Sequence, residues 1–592
     1  MTRSEGEPAG ERGGSALPLG LAHALAVLFL FAYALHIAVV PIRSDNDCWW
    51  HVKTGQYIVQ NGLPEHDVFS HTAQDHEWHN HEWLAQAGYY LAWRAGEASG
   101  LGGWRGAILF NGVLIALTVG LVYLLAYRIS GRVWIALLVA VLCIAIGRRM
   151  FYVRPPVVSN LLLAGQLLLL VGVTEGWLRR AWLWALPPVI ALWTNLHGGW
   201  LAAGVILGFF AADHGFQSVR HRLPAVPLAR LPQVVPARML ALLLPAALVA
   251  TLVNPYGWRL YELPARVLTD TELVRAIGEL ASPDFYFVID FQLAVLGTLA
   301  LAFLLRGFRV RFWELAIYLF FLHQAIQHVR HLSLFSIMMV PLTARVLGEA
   351  VRRAERSLAE WNLPDAGWMI WRRAAPSVGV AVMAVYLAGW VSVNPREGGQ
   401  WLSPLTQASY AGRNLQYLDG RAYIRERFPA QVADLAELAE LPGNMFNENR
   451  YAGYLIWRLS PERNLVFSDS RFDIFGGEFF RLENYVVTAA EFPFRDDEGR
   501  VLYNNWREVL DEYEVQWIIT QGGQRLAQAL RRAGGDDWVL GAAWPELPHD
   551  PLGAGWQVWV RNTEENAEAI RRAHNTARLV NAVPGDEIPA LY

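Results

Sequence analysis

Apolar stretches of spanning or near-spanning length recur along this chain, and they restrict it to a polytopic helical membrane protein. They fall at about 19–41, 106–127, 133–147, 157–173, 182–196, 198–212, 239–253, 289–305, 312–328, 332–349 and 375–392. A bilayer core takes roughly 20 apolar residues per helix, and within it every backbone N–H and C=O must be satisfied inside the segment. Several stretches are shorter, which predicts tilted, broken or re-entrant helices. The first, Leu19 to Val40, is too long for a signal-peptide core and has no small-residue cleavage site, so it is expected to be retained. Composition agrees: 54% of the 592 residues are hydrophobic and 17% charged, against about a quarter charged in soluble domains. A net charge of −3 argues against nucleic acid as a partner. The two cysteines, Cys48 and Cys143, fall in a loop and in mid-span, so neither a disulfide framework nor a cysteine zinc motif is present.

The arginines set the orientation. With the N-terminus in the cytoplasm, the inner loops hold Arg128 and Arg132; Arg179 and Arg180; Arg220, Arg222, Arg230 and Arg238; Arg306, Arg309 and Arg311; and Arg352, Arg353, Arg356, Arg372 and Arg373. This is the positive-inside bias at five successive loops. Eleven spans leave the C-terminal region outside, in an integral protein of the plasma membrane.

The outer face then collects a particular chemistry. In its first loop the stretch Ser44 to Trp83 holds Asp45, Asp47, Glu65, Asp67, Asp75, Glu77 and Glu82 beside six histidines and four tryptophans. Later outer turns add Arg148, Arg149, Tyr152 and Arg154; Asn195 and His197; Asn254, Tyr256, Glu279 and Asp284; and His323, His328, Arg330 and His331. Unpaired polar groups at membrane depth cost several kcal/mol, so acids and arginines at one leaflet point to a shared cavity. Arginine forks suit phosphate oxygens, and a carboxylate opposite suits proton removal from a hydroxyl. Together they describe transfer from a lipid-phosphate donor to a hydroxyl acceptor.

Blander readings stand beside these. Asp45 and Asp47 suit the N-cap of a helix starting near Trp49. Trp49, Trp50, Trp78 and Trp83 suit an interfacial aromatic belt. Arg154, before Pro155 and Pro156, suits a snorkelling anchor, and His197-Gly198-Gly199 suits tight helix packing. The run His76, Glu77, His79, His81, Glu82 matches no standard helical zinc spacing; a divalent metal ion on Asp47, His79 and His81 is the open alternative to a hydrogen-bonded loop.

The order of motifs resembles bacterial integral-membrane glycosyltransferases of the GT-C superfamily, whose architecture includes protein O-mannosyltransferases and the lipid A aminoarabinose transferase. The resemblance rests on D-x-D-x-W-W-H at Asp45 to His51, N-H-E-W-L at Asn80 to Leu84, R-P-P at Arg154, N-L-H-G-G at Asn195, N-P-Y-G at Asn254 and the late H-V-R-H, and it covers about residues 19–392. It implies a polyprenyl-phosphate sugar donor, with Asp45 or Asp47 as base. His51, His81, Glu82, Arg148, Arg149, Arg154, His197, Tyr256, Arg330 and His331 are then expected to bind substrate. Metal dependence varies across that superfamily and does not transfer. A transporter of a lipid-linked sugar and a noncatalytic scaffold are the rival readings. The charges sit at one end rather than at mid-bilayer, which favours the enzyme.

The expected fold is therefore a polytopic α-helical membrane protein of about 11 spans followed by a small extracytoplasmic α/β domain. Residues 1–18 form a polar, disordered cytoplasmic tail, 19–392 the membrane domain with its first outer loop at 42–105, and 393–592 the outer domain. In that last part, Leu415 to Leu441 reads as amphipathic helix. Asn444 to Phe446, Leu465 to Phe467, Val515 to Thr520 and Gln557 to Val560 read as strands, with a helix from Tyr451 to Leu459. In SDSRFD, Asp469, Arg471 and Asp473 read as a surface ion pair or as contacts to the acceptor.

Overall fold

The computed structural model describes residues 19–39, 45–219, 228–360 (without 271–273, 275, 276, 286, 287, 306 and 307), 428–544 (without 497 and 534) and 555–587. The expected tail at 1–18, the stretch at 375–392, the helix expected between 415 and 427, and Arg220, Arg222, Arg306, Arg372 and Arg373 lie outside the described residues.

The other ten apolar stretches are helical. The chain runs through α1 (Leu19–Val39), α2 (Asp47–Asn61), α3 (Trp83–Ala98), α4 (Gly103–Ser130), α5 (Val133–Gly147), α6 (Pro156–Thr174), α7 (Leu186–Trp193), α8 (Trp200–Val219), α9 (Ala237–Ala250), α10 (Glu262–Thr269), α11 (Ile289–Leu304), α12 (Phe312–Gln327), α13 (Leu332–Met338) and α14 (Val340–Glu360). Local chemistry sets their ends. Gly131, at φ 71°, closes α4 by returning its N–H to the Tyr127 carbonyl, and Pro156 opens α6 where its missing N–H costs nothing. Among the described residues, α4 and α6 are long and apolar enough to cross a membrane, and the pair Val329–Met338 and Val340–Ser357, bent by 49°, would make a third crossing. The 28 residues of α4 reach roughly 42 Å at 1.5 Å per residue. The 15 of α5 reach about 22 Å, short of a ~30 Å hydrocarbon core. Among the described residues, which leave out the stretch at 375–392, length and apolarity alone thus give two or three spans, where the whole sequence suggests eleven.

Charge divides the bundle between its ends. At one end Arg311 and Arg345 share Glu175 and Glu314 at 2.7–3.2 Å, and Arg132 meets Glu355 at 2.6 Å. At the other end the turns after α5, α7 and α9 meet the first loop, and the turn after α12 bonds to Leu280 and Ala281. That loop is not irregular throughout, for it carries α2 and α3. These pack so closely that a Cβ on Gly55 would lie 2.1 Å from the Gln86 carbonyl oxygen.

The C-terminal part contains α15 (Ala430–Ala439), β1 (Asn444–Phe446), α16 (Asn449–Leu459), α17 (Gly477–Val487), β2 (Phe494–Arg495), β3 (Val501–Tyr503), α18 (Trp506–Glu512), β4 (Val515–Gln521), α19 (Arg525–Arg532), β5 (Trp538–Ala543), β6 (Trp556–Arg561), α20 (Ala567–Ala577) and β7 (Val583–Pro584). Its main sheet has the order β1-β4-β6-β5-β7, with β1 and β4 parallel. The strand expected at Leu465–Phe467 does not join the sheet. Val466 instead bridges Ser70 of the first loop.

Side chains alternate across this sheet, as strand geometry requires. Ile518 and Trp559 face one core. Trp517, Ile519, Val558 and Val560 face another, which also contains Trp49, Trp50, Phe69 and Trp78 of the first loop. The first loop and the C-terminal part therefore share one apolar core. Trp49 and Trp78 are 1% exposed, so they are core residues rather than a belt at the lipid interface. Trp49 meets Trp104 at 4.3 Å and Tyr454 at 5.0 Å between ring centroids, and such aromatic burial outweighs an interfacial position. Gly453 permits the contact: a Cβ there would lie 2.1 Å from the Asn46 carbonyl oxygen.

Candidate functional site

Asp45 and Asp47 stand at the start of α2. The helix starts two residues before Trp49, with Asn46 rather than Asp45 or Asp47 at the N-cap and no side-chain cap bond there; Asp45 Oδ1 accepts the N–H of Asp47, the first helical residue, at 3.0 Å. It also receives Arg154. The guanidinium donates from Nε to Asp45 Oδ1 at 2.7 Å and from its second nitrogen to the same oxygen. It also meets Asp47 Oδ2 at 3.0 Å and Glu279 Oε1 at 2.8 Å. Asp47 Oδ1 accepts the Ser470 hydroxyl from the C-terminal part. Three carboxylates on one guanidinium leave a site of formal charge −2 (one positive, three negative) when all are ionised.

The backbone beneath Arg154 is fixed from both sides. The Tyr89 hydroxyl lies 2.9 Å from the Arg154 carbonyl oxygen and 2.8 Å from Asn111 Oδ1, and Asn111 donates to the Phe151 carbonyl at 3.1 Å. Asp45 Oδ2 is buried and has no hydrogen-bond partner among the described residues. Burial pushes the Asp45 carboxyl up to about 6 against the pull of Arg154.

A second acid lies close by. Glu82, just before α3, has His51 Nδ1 at 3.6 Å, His81 Nε2 at 3.7 Å and His197 Nε2 at 3.5 Å. Gly199 donates its N–H to His197 Nδ1 at 3.0 Å, which makes Nδ1 the acceptor and leaves the Nε2 hydrogen facing Glu82. Ser159 completes that side. It accepts the Trp193 indole N–H at 2.7 Å and lies 2.8 Å from His197 Nδ1. A Cβ on Gly199 would fall 2.4 Å from the Ser159 oxygen, so the Gly-Gly of this motif makes room for the chain of hydrogen bonds. Burial pushes Glu82 up to about 8, with Asp473 adding to the rise and Arg330 opposing it. Burial also holds His51 and His197 well below the ordinary imidazole range.

The remaining expected site residues are dispersed. Arg148 donates to Asp290 at 2.7 Å, away from the Arg154 cluster. Arg149 shares the turn Arg148–Met150, and its side chain lies outside the described residues. Tyr256 packs against His79 at 5.3 Å, and His331 stands edge-on to His328 at 5.1 Å. His79 lies between Glu77 and Glu262 at 3.5 Å each, whereas Asp47 faces Arg154 and Ser470. Among the described residues, no three His, Cys, Asp or Glu side chains form a group that could hold a metal ion. Arg330 differs from the other arginines. It acts electrostatically on Glu82, His197 and Glu279, yet among the described residues its guanidinium has no ion-pair partner within 4.0 Å and no hydrogen bond.

Sequence reasoning placed Glu279 on the outer face without assigning it to the site, and it gave Ser470 no role. Arg471 does not form a surface pair. It is 1% exposed and bridges Asp469 and Asp67 at 2.6 and 2.5 Å, with its guanidinium over the Phe69 and Trp78 rings. A cavity of about 520 Å³ opens beside this junction, between the first loop, α10 and Asp473.

No protein-family model matches the chain, and none of the curated proteins does. Among solved structures it is similar to ArnT from Cupriavidus metallidurans bound to undecaprenyl phosphate, at 14% identity over 91% of this chain and 97% of that one, with a TM-score of 0.44. It is likewise similar to the archaeal oligosaccharyltransferase AglB from Archaeoglobus fulgidus in complex with an inhibitory peptide and a dolichol-phosphate, at 13% identity over 92% of this chain and 75% of that one, with a TM-score of 0.49.

Proposed function

We propose that this chain is a membrane glycosyltransferase that moves a sugar from a polyprenyl-phosphate donor to an acceptor hydroxyl or amine at the outer face of the plasma membrane, with Asp45 as general base. The observation that carries this reading is Asp45 Oδ2, which has no hydrogen-bond partner among the described residues and is buried beside an arginine that already holds three carboxylates. Both Asp47 oxygens are engaged, one by Arg154 and one by Ser470. Asp45 thus keeps an oxygen free to receive a proton, and its raised basicity suits that task.

In the step, the acceptor O–H or N–H gives its proton to Asp45 Oδ2 as its heavy atom bonds to the anomeric carbon. The bond from that carbon to the phosphate oxygen breaks, and the polyprenyl phosphate leaves with the electron pair. Arg330 neutralises the departing phosphate, since its guanidinium carries no acid partner among the described residues. Arg154, outnumbered by acids, orients Asp45 and Asp47 rather than holding phosphate.

The test is transfer from a labelled undecaprenyl-phosphate sugar in purified membranes. Asp45→Asn keeps the size of the side chain and most of its capping ability; it should fold normally and lose about 10²–10⁴-fold in rate. Asp47→Asn should lose less, and Arg330→Gln should raise the donor KM. Full activity in Asp45→Asn would remove Asp45 from the mechanism.

A further inference from the structure

The cavity of about 520 Å³ is large enough for a ligand of a few sugar rings, since small-molecule pockets run from about 300 to 1,000 Å³. Its mouth is formed by Glu77, Arg259 and Glu262, each roughly half exposed. Its floor includes His81 and Asp473. His81 is the same residue that touches Glu82, and Asp473 also acts on Glu82, so the cavity borders the Glu82 cluster.

Its charge selects the ligand. The lining carries four carboxylates (Asp75, Glu77, Glu262 and Asp473) against two guanidiniums (Arg259 and Arg266), a formal charge of −2. Neither arginine is idle: Arg259 meets Glu77 at 2.8 Å, and Arg266 donates to the Asp473 carbonyl at 3.3 Å. Asp473 Oδ2 accepts the Trp78 indole N–H at 2.8 Å, while Oδ1 has no hydrogen-bond partner among the described residues. Free acceptor oxygens with spoken-for cations favour a donor-rich ligand and repel an anion.

We infer that this cavity is the acceptor subsite, and that it takes the hydroxyl-rich, amine-bearing sugar of an acceptor and rejects acidic sugars. This rests on the transferase reading above and adds the acceptor class to it. Asp473 receives the amine or a hydroxyl through Oδ1, and Glu262 screens charge at the mouth.

The test uses the full chain in nanodiscs with methyl glucosaminide, methyl glucoside and methyl glucuronide as probes, read by ligand-observed NMR. The glucosaminide should bind best, the glucoside more weakly and the glucuronide not at all. Asp473→Asn, which keeps an oxygen for Trp78, should weaken the glucosaminide about tenfold, the size of one charge-assisted hydrogen bond. Undecaprenyl phosphate binding should stay unchanged in that variant. Glu262→Gln, at the exposed mouth, should lower glucosaminide affinity by a smaller factor. A glucuronide that binds best, no binding of any glycoside, or unchanged glucosaminide affinity in both variants would overturn the assignment. Sugar transfer without glycoside binding would sink the subsite and leave the transferase standing. Glycoside binding without transfer from any donor would do the reverse.

Discussion

Arg154 and Arg471 each bridge carboxylates from distant parts of the chain, but the two clusters are finished differently. Around Arg471 every carboxylate oxygen is satisfied. Asp67 takes the Phe69 and Ser70 N–H groups at 3.1 and 3.0 Å and the guanidinium at 2.5 Å, and Asp469 takes the Arg471 N–H and Nε at 2.8 Å each. Around Arg154 there are three acids instead of two, Glu279 is about one-third exposed, and one oxygen of Asp45 has no partner among the described residues. A closed ionic cluster fixes geometry. An open one keeps basicity in reserve, at a cost in stability that the rest of the fold must offset.

Substitution of the two arginines should separate these roles. Arg471→Ala strands two buried carboxylates and should cost about 3–5 kcal/mol, read as a lower melting temperature with loss of protease resistance at the junction. Arg154→Ala should melt closer to wild type, because Asp45 can take up a proton and Glu279 can reach water, yet it should lose at least about 10²-fold in transfer rate. Equal destabilisation by both substitutions would erase the distinction.

The pH response sharpens it. If Asp45 acts ionised, the rate should climb about tenfold per pH unit up to about 6 and then level off. Stability should run the other way. Its folded carboxyl titrates above the ordinary 3.8, so the neutral form is favoured by folding, and that contribution is lost as pH rises from about 4 through 6. Asp45→Asn should flatten both curves; a melting profile that keeps its slope in that variant would assign the slope elsewhere.

The smallest effect belongs to Glu82. Its carboxyl titrates near 8 rather than 4.5, so it is neutral at pH 7 and Gln imitates it. Glu82→Gln should hold its transfer rate within about fivefold, under ~1 kcal/mol. It should also remove the fall in stability that wild type shows as pH rises from 4.5 to about 8. A loss of several hundredfold at pH 7 would mean that the ionised form is needed.

Much of this was legible in the sequence, and the limits are physical. Acidic residues beside the first apolar stretch, and arginines distributed by sidedness, were enough to bring Asp45, Asp47 and Arg154 into one expected site, where they form ion pairs. The start of α2 was legible near Trp49, two residues late, but no helix of its own was expected over α3. β5 was hidden as well: Gly541, Ala542 and Ala543 give it little strand character. The Asp469–Arg471 pair was legible from their spacing, but its burial, the reach of Arg471 to Asp67 and the bond from Ser470 to Asp47 were not. Asp67 and Asp47 lie 404 and 423 positions from Arg471 and Ser470, and a pairing at that distance leaves no periodic trace in one chain.

The reach of Arg471 also sets a timetable. Asp67 leaves the ribosome 404 residues before the arginine that neutralises it, an interval of roughly 20–80 s at about 5–20 residues per second. Throughout that interval Asp47 lacks Ser470, and the first loop lacks much of the apolar core it shares with the C-terminal part. A nascent chain can thread its early helices into the bilayer without owning a working centre. The C-terminal part completes the first loop long after that loop is made, so on the transferase reading a chain truncated before Ser470 should be inserted and inert.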